Sequence, residues 1–244
     1  MDKSNLSDIS PLITIVTVVF NNVATMEKTI QSILNQSYKN IEYIIIDGGS
    51  SDGTLDIIKK YNDRISCWIS EKDIGIYDAM NKSLKYITGD WVIFINADDH
   101  FVSPFVLSNI ISSFRKSNTI YYGDILFDGK VFYGGKFNAF RMSRMNISHQ
   151  SIFYPRSVFS TYQYFYDLNY NIRADHDLNL RLFGNSSLRF KYIPNTISVC
   201  SSGGYSSKNI DNHFERDRLD IIKKNLGILP FLYKKMTGLL HSFC

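Results

Sequence analysis

The feature that most constrains this chain is an unbroken apolar run at residues 91–95, which ends just before two adjacent carboxylates, Asp98 and Asp99. A run of aromatic and β-branched residues is typical of a strand that is buried on both faces of a parallel sheet. Ligands bind beyond the carboxyl ends of such strands, and neighbouring carboxylates suit Mg²⁺ or Mn²⁺. The pattern therefore predicts a ligand-binding strand end, although paired Asp residues are also common in an ordinary turn before a helix.

Composition excludes several classes of protein. The 244 residues are 44% hydrophobic, which is enough to bury a substantial core in one large domain. The formal net charge of +4 is too small to indicate a nucleic-acid partner, and no nucleic-acid-binding motif is present. The sequence contains no Cys-x-x-Cys pair, no signal peptide and no apolar segment long enough to span a membrane. We therefore expect a cytoplasmic protein that reaches the inner face of the plasma membrane only peripherally.

Strands and helices alternate along the first part of the chain. Apolar runs at 12–20, 41–46, 65–70 and 91–95 predict strands, and a segment with helical spacing of apolar residues follows each of the first three. Alternation of this kind is typical of a parallel sheet connected by right-handed crossovers. We therefore predict an α/β fold with an open, mostly parallel sheet.

The predicted strand ends carry acidic and small residues. Asp47 precedes Gly48 and Gly49, and the acidic segment 71–75 follows the third strand. Glycines permit a ligand to approach the backbone, and the Asp47 carboxylate would accept a hydrogen bond from a ribose hydroxyl or a base N–H. A plain strand-to-helix turn is the alternative. Thr54 stands where a P-loop needs Lys, and no Gly-x-Gly-x-x-Gly follows an early strand, so neither a P-loop enzyme nor a dinucleotide oxidoreductase is indicated.

Five short motifs occur in order along the chain. They are TVVFNN at 17–22, SILNQS at 32–37, DGGSSDGT at 47–54, DIGIYDAMNK at 73–82 and NADD at 96–99. Together they resemble glycosyltransferase family two, a large family of inverting enzymes with the GT-A fold. The resemblance is close over about the first hundred residues and looser to about Gly184. It implies a GT-A-type sheet with a Rossmann-like nucleotide-binding half.

The resemblance also implies roles for the acidic residues. Asp47 would contact the base or ribose of a nucleotide-diphosphate sugar, with a UDP-sugar favoured, and Asp73 would close the same pocket. Asp98 would face the nucleotide, and Asp99 together with Asp98 would bind the Mn²⁺ or Mg²⁺ that bridges the donor diphosphate. Many family members have Asp-x-Asp where this chain has Asn-Ala-Asp-Asp. The full set of implied nucleotide-sugar-binding residues is Val19, Asn21, Asp47, Asp73, Gly75, Asp78, Asn81, Asn96 and Asp98.

A second acidic cluster, Asp175 and Asp177, begins an amphipathic segment. Carboxylates in the first turn of a helix cap its N–H groups and suit its dipole, so a purely structural role is one interpretation. The segment ADHDLNLR at 174–181 also resembles the family's Glu-Asp-x-Asp-Leu-x-Leu-Arg segment, whose second acid is the catalytic base. The resemblance places that base at Asp175, with Asp177 as the second candidate, although Ala174 replaces the family's Glu.

Acceptor-side residues are expected near the start of a later strand, predicted at 149–154. His149 and Gln150 lead this run, and related chains carry a His-Gln pair at the same point. Arg181 is assigned to the acceptor side by the same resemblance. A His beside an apolar run is often structural, so a role in the site is one of two interpretations.

The chain is predicted to divide into a catalytic domain and a helical tail. The catalytic domain is placed at 1–205, with a nucleotide-sugar-binding half at 12–100 and an acceptor-binding half at 101–205. The acceptor half includes a β-hairpin predicted over 120–133, with an Asp-Gly turn. The amphipathic tail is placed at 206–244.

The tail and the segment before it leave two questions open. The small-residue segment at 201–207 is interpreted either as a lid over the donor or as a plain linker. A charged amphipathic helix is predicted at 210–226. Residues 221–244 combine lysines and apolar side chains with no acidic residue. This composition suits an anionic membrane surface, and a terminal helix packed on the core is the alternative.

These expectations combine into one function. The chain is predicted to be an inverting, metal-dependent glycosyltransferase that moves a sugar from a nucleotide-diphosphate sugar to an acceptor hydroxyl. The acceptor is expected to be a glycan or an undecaprenyl-diphosphate-linked precursor of a surface polysaccharide such as O-antigen, capsule or exopolysaccharide. One alternative is a non-catalytic nucleotide- or glycan-binding protein on the same fold. A sugar-phosphate nucleotidyltransferase is disfavoured, because residues 20–26 lack the glycine-rich basic loop that such enzymes place after the first strand.

Overall fold

A computed structural model describes residues 10–127, 130–132, 134–201 and 209–241 of the chain. The strands are β1 Ile13–Val19, β2 Ile41–Asp47, β3 Cys67–Ser70, β4 Trp91–Phe94, β5 His100–Phe101, β6 Thr119–Phe127, β7 Lys130–Phe132, β8 Ile152–Pro155 and β9 Arg189–Cys200. The α-helices are α1 Val23–Leu34, α2 Thr54–Lys60, α3 Ile76–Ser83, α4 Val106–Ile110, α5 Ala139–Arg144, α6 Ser157–Ser160, α7 Ala174–Phe183, α8 Asn212–Leu226 and α9 Ile228–His241.

The strands form one sheet in the order β3-β2-β1-β4-β8-β6-β9-β5, and β7 pairs with β6 outside this path. Strands β3, β2, β1 and β4 are parallel to one another. Strand β8 is antiparallel to both β4 and β6, and it joins the parallel half to the rest of the sheet. The predicted α/β fold with an open, mostly parallel sheet is therefore confirmed in the first half, and the sheet becomes mixed beyond β4.

Strand β1 is completely buried because helices cover both of its faces. Val16 and Val18 pack into a core with α3, α7 and α8, while Ile13 and Ile15 pack into a second core with α1, α2 and α4. Successive side chains of a strand point to opposite faces, so an unbroken apolar run supplies both cores. Burying each such side chain stabilises the fold by roughly 1.5–3 kcal/mol. This packing holds the carboxyl ends of β1 and β4 side by side.

Strands β8 and β9 differ from the sequence predictions. The strand predicted at 149–154 begins only at Ile152, because His149–Ser151 forms a 3₁₀ turn. Strand β9 was not predicted at all, because polar and apolar residues mix along it and it offers no continuous apolar run. The predicted β-hairpin is confirmed by the antiparallel pairing of β6 with β7, and its Asp-Gly turn lies outside the described residues. Most of the predicted lid or linker at 201–207 also lies outside them.

The chain ends in a pair of helices. Asp211 caps α8 by accepting a hydrogen bond from the backbone N–H of Phe214 (3.1 Å). Gly227 adopts φ 87° between α8 and α9, a backbone angle that favours glycine. The predicted amphipathic helix is therefore confirmed as α8, and α9 follows it directly. None of the helices that the structure describes has the length and apolar character needed to cross a bilayer.

Candidate active site

A cleft of about 770 Å³ opens at the carboxyl ends of β1 and β4. It brings together sequence-predicted residues from distant parts of the chain. These are Val19, Asp73, Gly75, Asn96, Asp98, Asp99, His149, Gln150 and Asp175. The other predicted residues, Asn21, Asp47, Asp78, Asn81, Asp177 and Arg181, do not line this cleft.

Asp98 and Asp99 lie in a turn after β4, and hydrogen bonds from α1 hold this turn in place. The Thr29 hydroxyl donates to the backbone carbonyls of Ala97 (2.9 Å) and Asp99 (2.7 Å). The Asp99 side chain is buried and accepts a hydrogen bond from Nε2 of Gln150 at 2.7 Å. Burial, with the neighbouring charge of Asp98, raises the pKa of Asp99 to about 6. A cation bound at this point would favour the ionised form of Asp99 and so lower its pKa again.

The donor set at this pair suits a hard divalent cation but is incomplete by itself. Among the described residues, no group of three or more His, Cys, Asp or Glu side chains is arranged to hold a metal ion. Each Asp99 oxygen has one hydrogen-bond donor, Gln150 Nε2 or the backbone N–H of Ser201, and a carboxylate oxygen has a second lone pair. Mg²⁺ and Mn²⁺ commonly take one or two carboxylates plus oxygens of water and substrate phosphates. Asp98 and Asp99 therefore fit a metal that is shared with a bound diphosphate.

Asp175 lies in the first turn of α7 and faces the same cleft. Asp175 accepts a hydrogen bond through Oδ1 from the backbone N–H of His176 at 2.8 Å, so it satisfies an N–H group of the first helical turn, as the capping interpretation predicts. Its Oδ2 atom lies 3.2 Å from Nδ1 of His149, and its Oδ1 atom lies 3.2 Å from the Tyr77 hydroxyl. Burial acts to raise the pKa of Asp175, but hydrogen bonding to His149 and the charges of His149, His176 and Arg173 lower it below its usual value. The carboxylate is therefore ionised at neutral pH.

His149 connects Asp175 to the end of β4. Its Nε2 atom lies 2.9 Å from Nδ2 of Asn96, and its ring is buried. The two ring nitrogens thus contact the Asn96 amide on one side and the Asp175 carboxylate on the other. The Asn96 amide oxygen is buried and has no hydrogen-bond partner in the structure. The 3₁₀ turn thus places His149 between the Asn96 side chain and the Asp175 carboxylate.

Asp177 and Arg181 are paired with each other away from the cleft. Asp177 Oδ2 accepts from Nε of Arg181 at 2.8 Å, and Arg181 also donates to the backbone carbonyl of Phe165 at 2.7 Å. Burial raises the pKa of Asp177, while Arg181 opposes that shift. Asp177 and Arg181 therefore lie outside the cleft. They are four residues apart on the same helix, and each is the ion-pair partner of the other.

Asp47 and Asn21 shape the loop behind the cleft wall. Asp47 is fully buried, and its Oδ2 atom accepts from the Ser70 hydroxyl (2.6 Å) and the backbone N–H of Ser50 (3.0 Å). Its Oδ1 atom has no partner in the structure. Asn21, with φ 47°, accepts from the backbone N–H of Ser51 at 2.9 Å. These contacts make both residues supports of the loop rather than part of the cleft lining.

Asp78 and Asn81 on α3 make contacts outside the cleft. Asp78 lies 3.2 Å from Nζ of Lys82 and accepts from the backbone N–H of Ile74 at 3.1 Å. The Asn81 side chain donates to the backbone carbonyl of Tyr166 (2.9 Å) and accepts from its N–H (3.0 Å). Asn81 thereby fastens α3 to the segment that precedes α7.

Sequence reasoning missed Tyr77 and Arg173. The Tyr77 hydroxyl donates to the carbonyl of Ile172 at 2.7 Å beside Asp175, and both Tyr77 and Arg173 line the cleft. Arg173 is exposed and is one of the charges that lower the pKa of Asp175. Both could have been found from the sequence by their positions. Tyr77 lies inside the motif at 73–82, and Arg173 is the cationic residue just before the second acidic cluster.

A second, smaller pocket of about 280 Å³ adjoins the cleft. The two share His149, Gln150, Arg173, Asp175 and Ser201 as lining residues. Apolar side chains of Phe127, Phe137, Met145 and Ile147 line the remainder, together with polar atoms of Asn146 and Ser148. Asp175 thus stands at the junction of the cleft that contains Asp98 and Asp99 and this partly apolar pocket.

This chain belongs to glycosyl transferase family 2, whose family model matches residues 14–208. It is 32% identical over 213 residues to a PGL/p-HBAD biosynthesis glycosyltransferase of Mycobacterium bovis, covering 84% of this chain and 83% of that protein. It is 38% identical over 100 residues to the Escherichia coli UDP-Glc:alpha-D-GlcNAc-diphosphoundecaprenol beta-1,3-glucosyltransferase WfaP, covering 41% of this chain and 40% of that protein. The family predicted from the five motifs is therefore confirmed.

Solved structures show the same fold. The chain superimposes on S. aureus TarS 1-349 in complex with UDP-GlcNAc with a TM-score of 0.70 and 14% identity, covering 88% of this chain and 66% of that one. It superimposes on the mannosyltransferase PcManGT from Pyrobaculum calidifontis, in complex with GDP-Man and Mn²⁺, with a TM-score of 0.65 and 13% identity, covering 97% of this chain and 82% of that one. The GT-A-type fold predicted from the sequence is therefore confirmed.

Proposed function

We propose that this protein catalyses inverting transfer of a sugar from a nucleotide-diphosphate sugar, with a UDP-sugar favoured, to an acceptor hydroxyl. The observation that carries the proposal is the ionised Asp175 carboxylate at the junction of the cleft and the second pocket. A base placed there reaches an acceptor in the pocket and a donor in the cleft. The acidic pair Asp98 and Asp99 lies on the donor side of the same cleft.

The reaction places specific demands on Asp175. An acceptor hydroxyl oxygen forms a bond to the anomeric carbon on the face opposite the diphosphate, and the bond between that carbon and the diphosphate oxygen breaks. The hydroxyl proton passes to Asp175, so the base must be unprotonated beforehand. His149 and Tyr77 meet this need because they hold the carboxylate in one orientation, and His149 also favours its charged form. No covalent intermediate on the enzyme is required.

Asp98 and Asp99 would hold Mn²⁺ or Mg²⁺, and such an ion supplies Lewis-acid stabilisation of the departing diphosphate. The chain's own residues complete this side of the cleft. Asp73, near the N-terminus of α3, lies where a nucleotide would be enclosed. Arg173 adds a fixed positive charge to the cleft wall.

The second pocket is proposed as the acceptor site. Its polar rim around Asp175 suits a sugar hydroxyl, and its apolar wall suits the face of a sugar ring or an attached lipid. The Escherichia coli relative acts, by its name, on a GlcNAc-diphosphoundecaprenol acceptor. We therefore propose a lipid-linked precursor of a surface polysaccharide as the acceptor, glycosylated on the cytoplasmic side of the membrane.

The test measures binding and transfer separately. Purified protein is screened with UDP-Glc, UDP-GlcNAc and GDP-Man, with and without Mn²⁺, for thermal stabilisation and slow donor hydrolysis. A stabilising donor is then incubated with a GlcNAc-diphospholipid acceptor, and the anomeric configuration of the product is read by NMR. An inverted anomeric centre supports the proposal, and a retained one contradicts it. Donor binding with neither hydrolysis nor transfer to any acceptor would instead favour a non-catalytic nucleotide-binding protein.

A further inference from the structure

Helix α9 packs on the protein through one face only. Pro230 is buried, Phe231 packs against the core, and the Tyr233 ring lies 5.5 Å from that of Phe140 on α5. The Tyr233 hydroxyl also accepts a hydrogen bond from Arg144 at 3.2 Å. The packed-helix interpretation of the tail is therefore correct for this face.

The opposite face of α9 is apolar and exposed. Ile228, Leu229, Leu232 and Met236 are 52%, 65%, 45% and 65% exposed. Their spacing places them on one side of the helix, and we call them the α9 stripe. Single exposed apolar side chains are ordinary, but four on one face of one helix mark an interaction surface.

Exposed lysines occur on α9 and in the last turn of α8. Lys223, Lys224 and Lys235 are exposed, and residues 221–241 contain no acidic side chain. Burial lowers the pKa of Lys234, and the nearby charges of Arg218 and Arg144 contribute to that shift. An apolar stripe bordered by lysines has the chemistry of a helix that lies in the interface of an anionic bilayer.

We infer that the α9 stripe binds the surface of an anionic lipid bilayer. The charge around the stripe selects this occupant over a second copy of the chain, because a symmetric contact would bring the lysines of both copies together. The inference rests on the helix and its charges, and it stands independently of the proposed function.

The position of α5 gives the inference a functional consequence. Phe137 and Met145, which line the second pocket, stand just outside the two ends of α5. Phe140 on α5 is 43% exposed and contacts Tyr233 of α9. The helix that borders the pocket is thus fastened to the helix that carries the α9 stripe. Binding through the stripe would hold that pocket near the bilayer surface.

The test is co-sedimentation of the full chain with vesicles of phosphatidylglycerol and phosphatidylcholine, compared with vesicles of phosphatidylcholine alone. We expect binding to the anionic vesicles only, with a loss as NaCl is raised, because salt screens the lysine contribution. Leu232→Glu/Met236→Glu should reduce that binding by about tenfold or more. Lys223→Gln/Lys224→Gln/Lys235→Gln should reduce it by about fivefold per lysine that reaches the surface.

The matched control is Phe105→Glu/Leu168→Glu, which replaces two other exposed apolar residues by the same charges. Circular dichroism and melting temperature establish that each variant is folded. Equal loss in the control, or no binding of the parent protein to anionic vesicles, overturns the inference. A dimer in analytical ultracentrifugation that Leu232→Glu/Met236→Glu disperses, without vesicle binding by the parent, would assign the stripe to a second copy instead.

Discussion

Nδ1 of His149 lies 3.2 Å from Oδ2 of Asp175, and this contact joins a 3₁₀ turn to the first turn of a helix. It orients one carboxylate oxygen and favours the charged state of the group despite its burial. A buried carboxylate without such a partner would tend to take up a proton. The pair therefore explains how the Asp175 carboxylate can remain ionised although it is buried.

Replacing Asp175 with Asn should abolish most transfer without unfolding the protein. The Asn amide can keep hydrogen-bond contacts with Tyr77 and His149 but cannot accept the acceptor proton at neutral pH. We expect the transfer rate to fall by roughly 10²–10⁴-fold, with little change in donor affinity. Steady-state kinetics and a thermal melt check both points.

Asp177→Asn is the matched control for that variant. The Asp177 side chain pairs with Arg181 away from the cleft, so we expect a transfer rate near that of the parent. A variant Asp177→Asn that is stable but inactive, beside an active Asp175→Asn, would move the base to Asp177.

His149→Ala should change the pH dependence of transfer. Loss of the ring removes the contact that lowers the pKa of Asp175, so burial then acts unopposed by His149 and the pKa of Asp175 rises. Activity requires the ionised base, so the acid limb of the pH–rate profile should move to higher pH. The deficit should therefore be larger at pH 6 than at pH 8. A uniform loss at all pH values would indicate a purely structural role for His149.

Asp99→Asn should have opposite effects on stability and activity. Because the pKa of Asp99 is raised to about 6, ionisation destabilises the metal-free fold as pH rises from about 4 to about 6. Removing the charge should raise the metal-free melting temperature at pH 7 while Mn²⁺-dependent transfer collapses. Mn²⁺ with the donor should stabilise the parent but not the variant. Retained Mn²⁺-dependent transfer would contradict the assignment.

Gly48→Ala should weaken donor binding through Asp73. A Cβ atom at Gly48 would lie 2.4 Å from Oδ2 of Asp73, so the carboxylate must move away from its place on the cleft wall. We expect a lower affinity for the nucleotide sugar, measured by calorimetry, with the fold retained. Asp73→Ala serves as the comparison and should lose affinity to a similar degree. Full affinity in both variants would show that Asp73 does not contact the donor.

The sequence by itself determined the parallel half of the sheet and the acidic strand end. Strands β1 and β4 are buried on both faces, so each is an unbroken apolar run. They could therefore be predicted as strands without knowing which strands pair with them. Asp98 and Asp99 follow β4 directly, and their place in the cleft follows from the direction of that strand. Strand β9 escaped prediction because its residues are partly exposed, and only pairing with β6 and β5 makes it a strand.

Only the tertiary structure shows which of Asp175 and Asp177 faces the cleft. Two residues along an α-helix turn the side chain by about 200°, so the two carboxylates point in different directions. Their sequence context does not say which direction meets the cleft. Asp175 meets Tyr77 and His149, which lie 98 and 26 residues away in the chain, whereas Asp177 meets Arg181 on its own helix. Packing of α7 against the sheet selects between them, because it fixes the rotation of the helix about its axis.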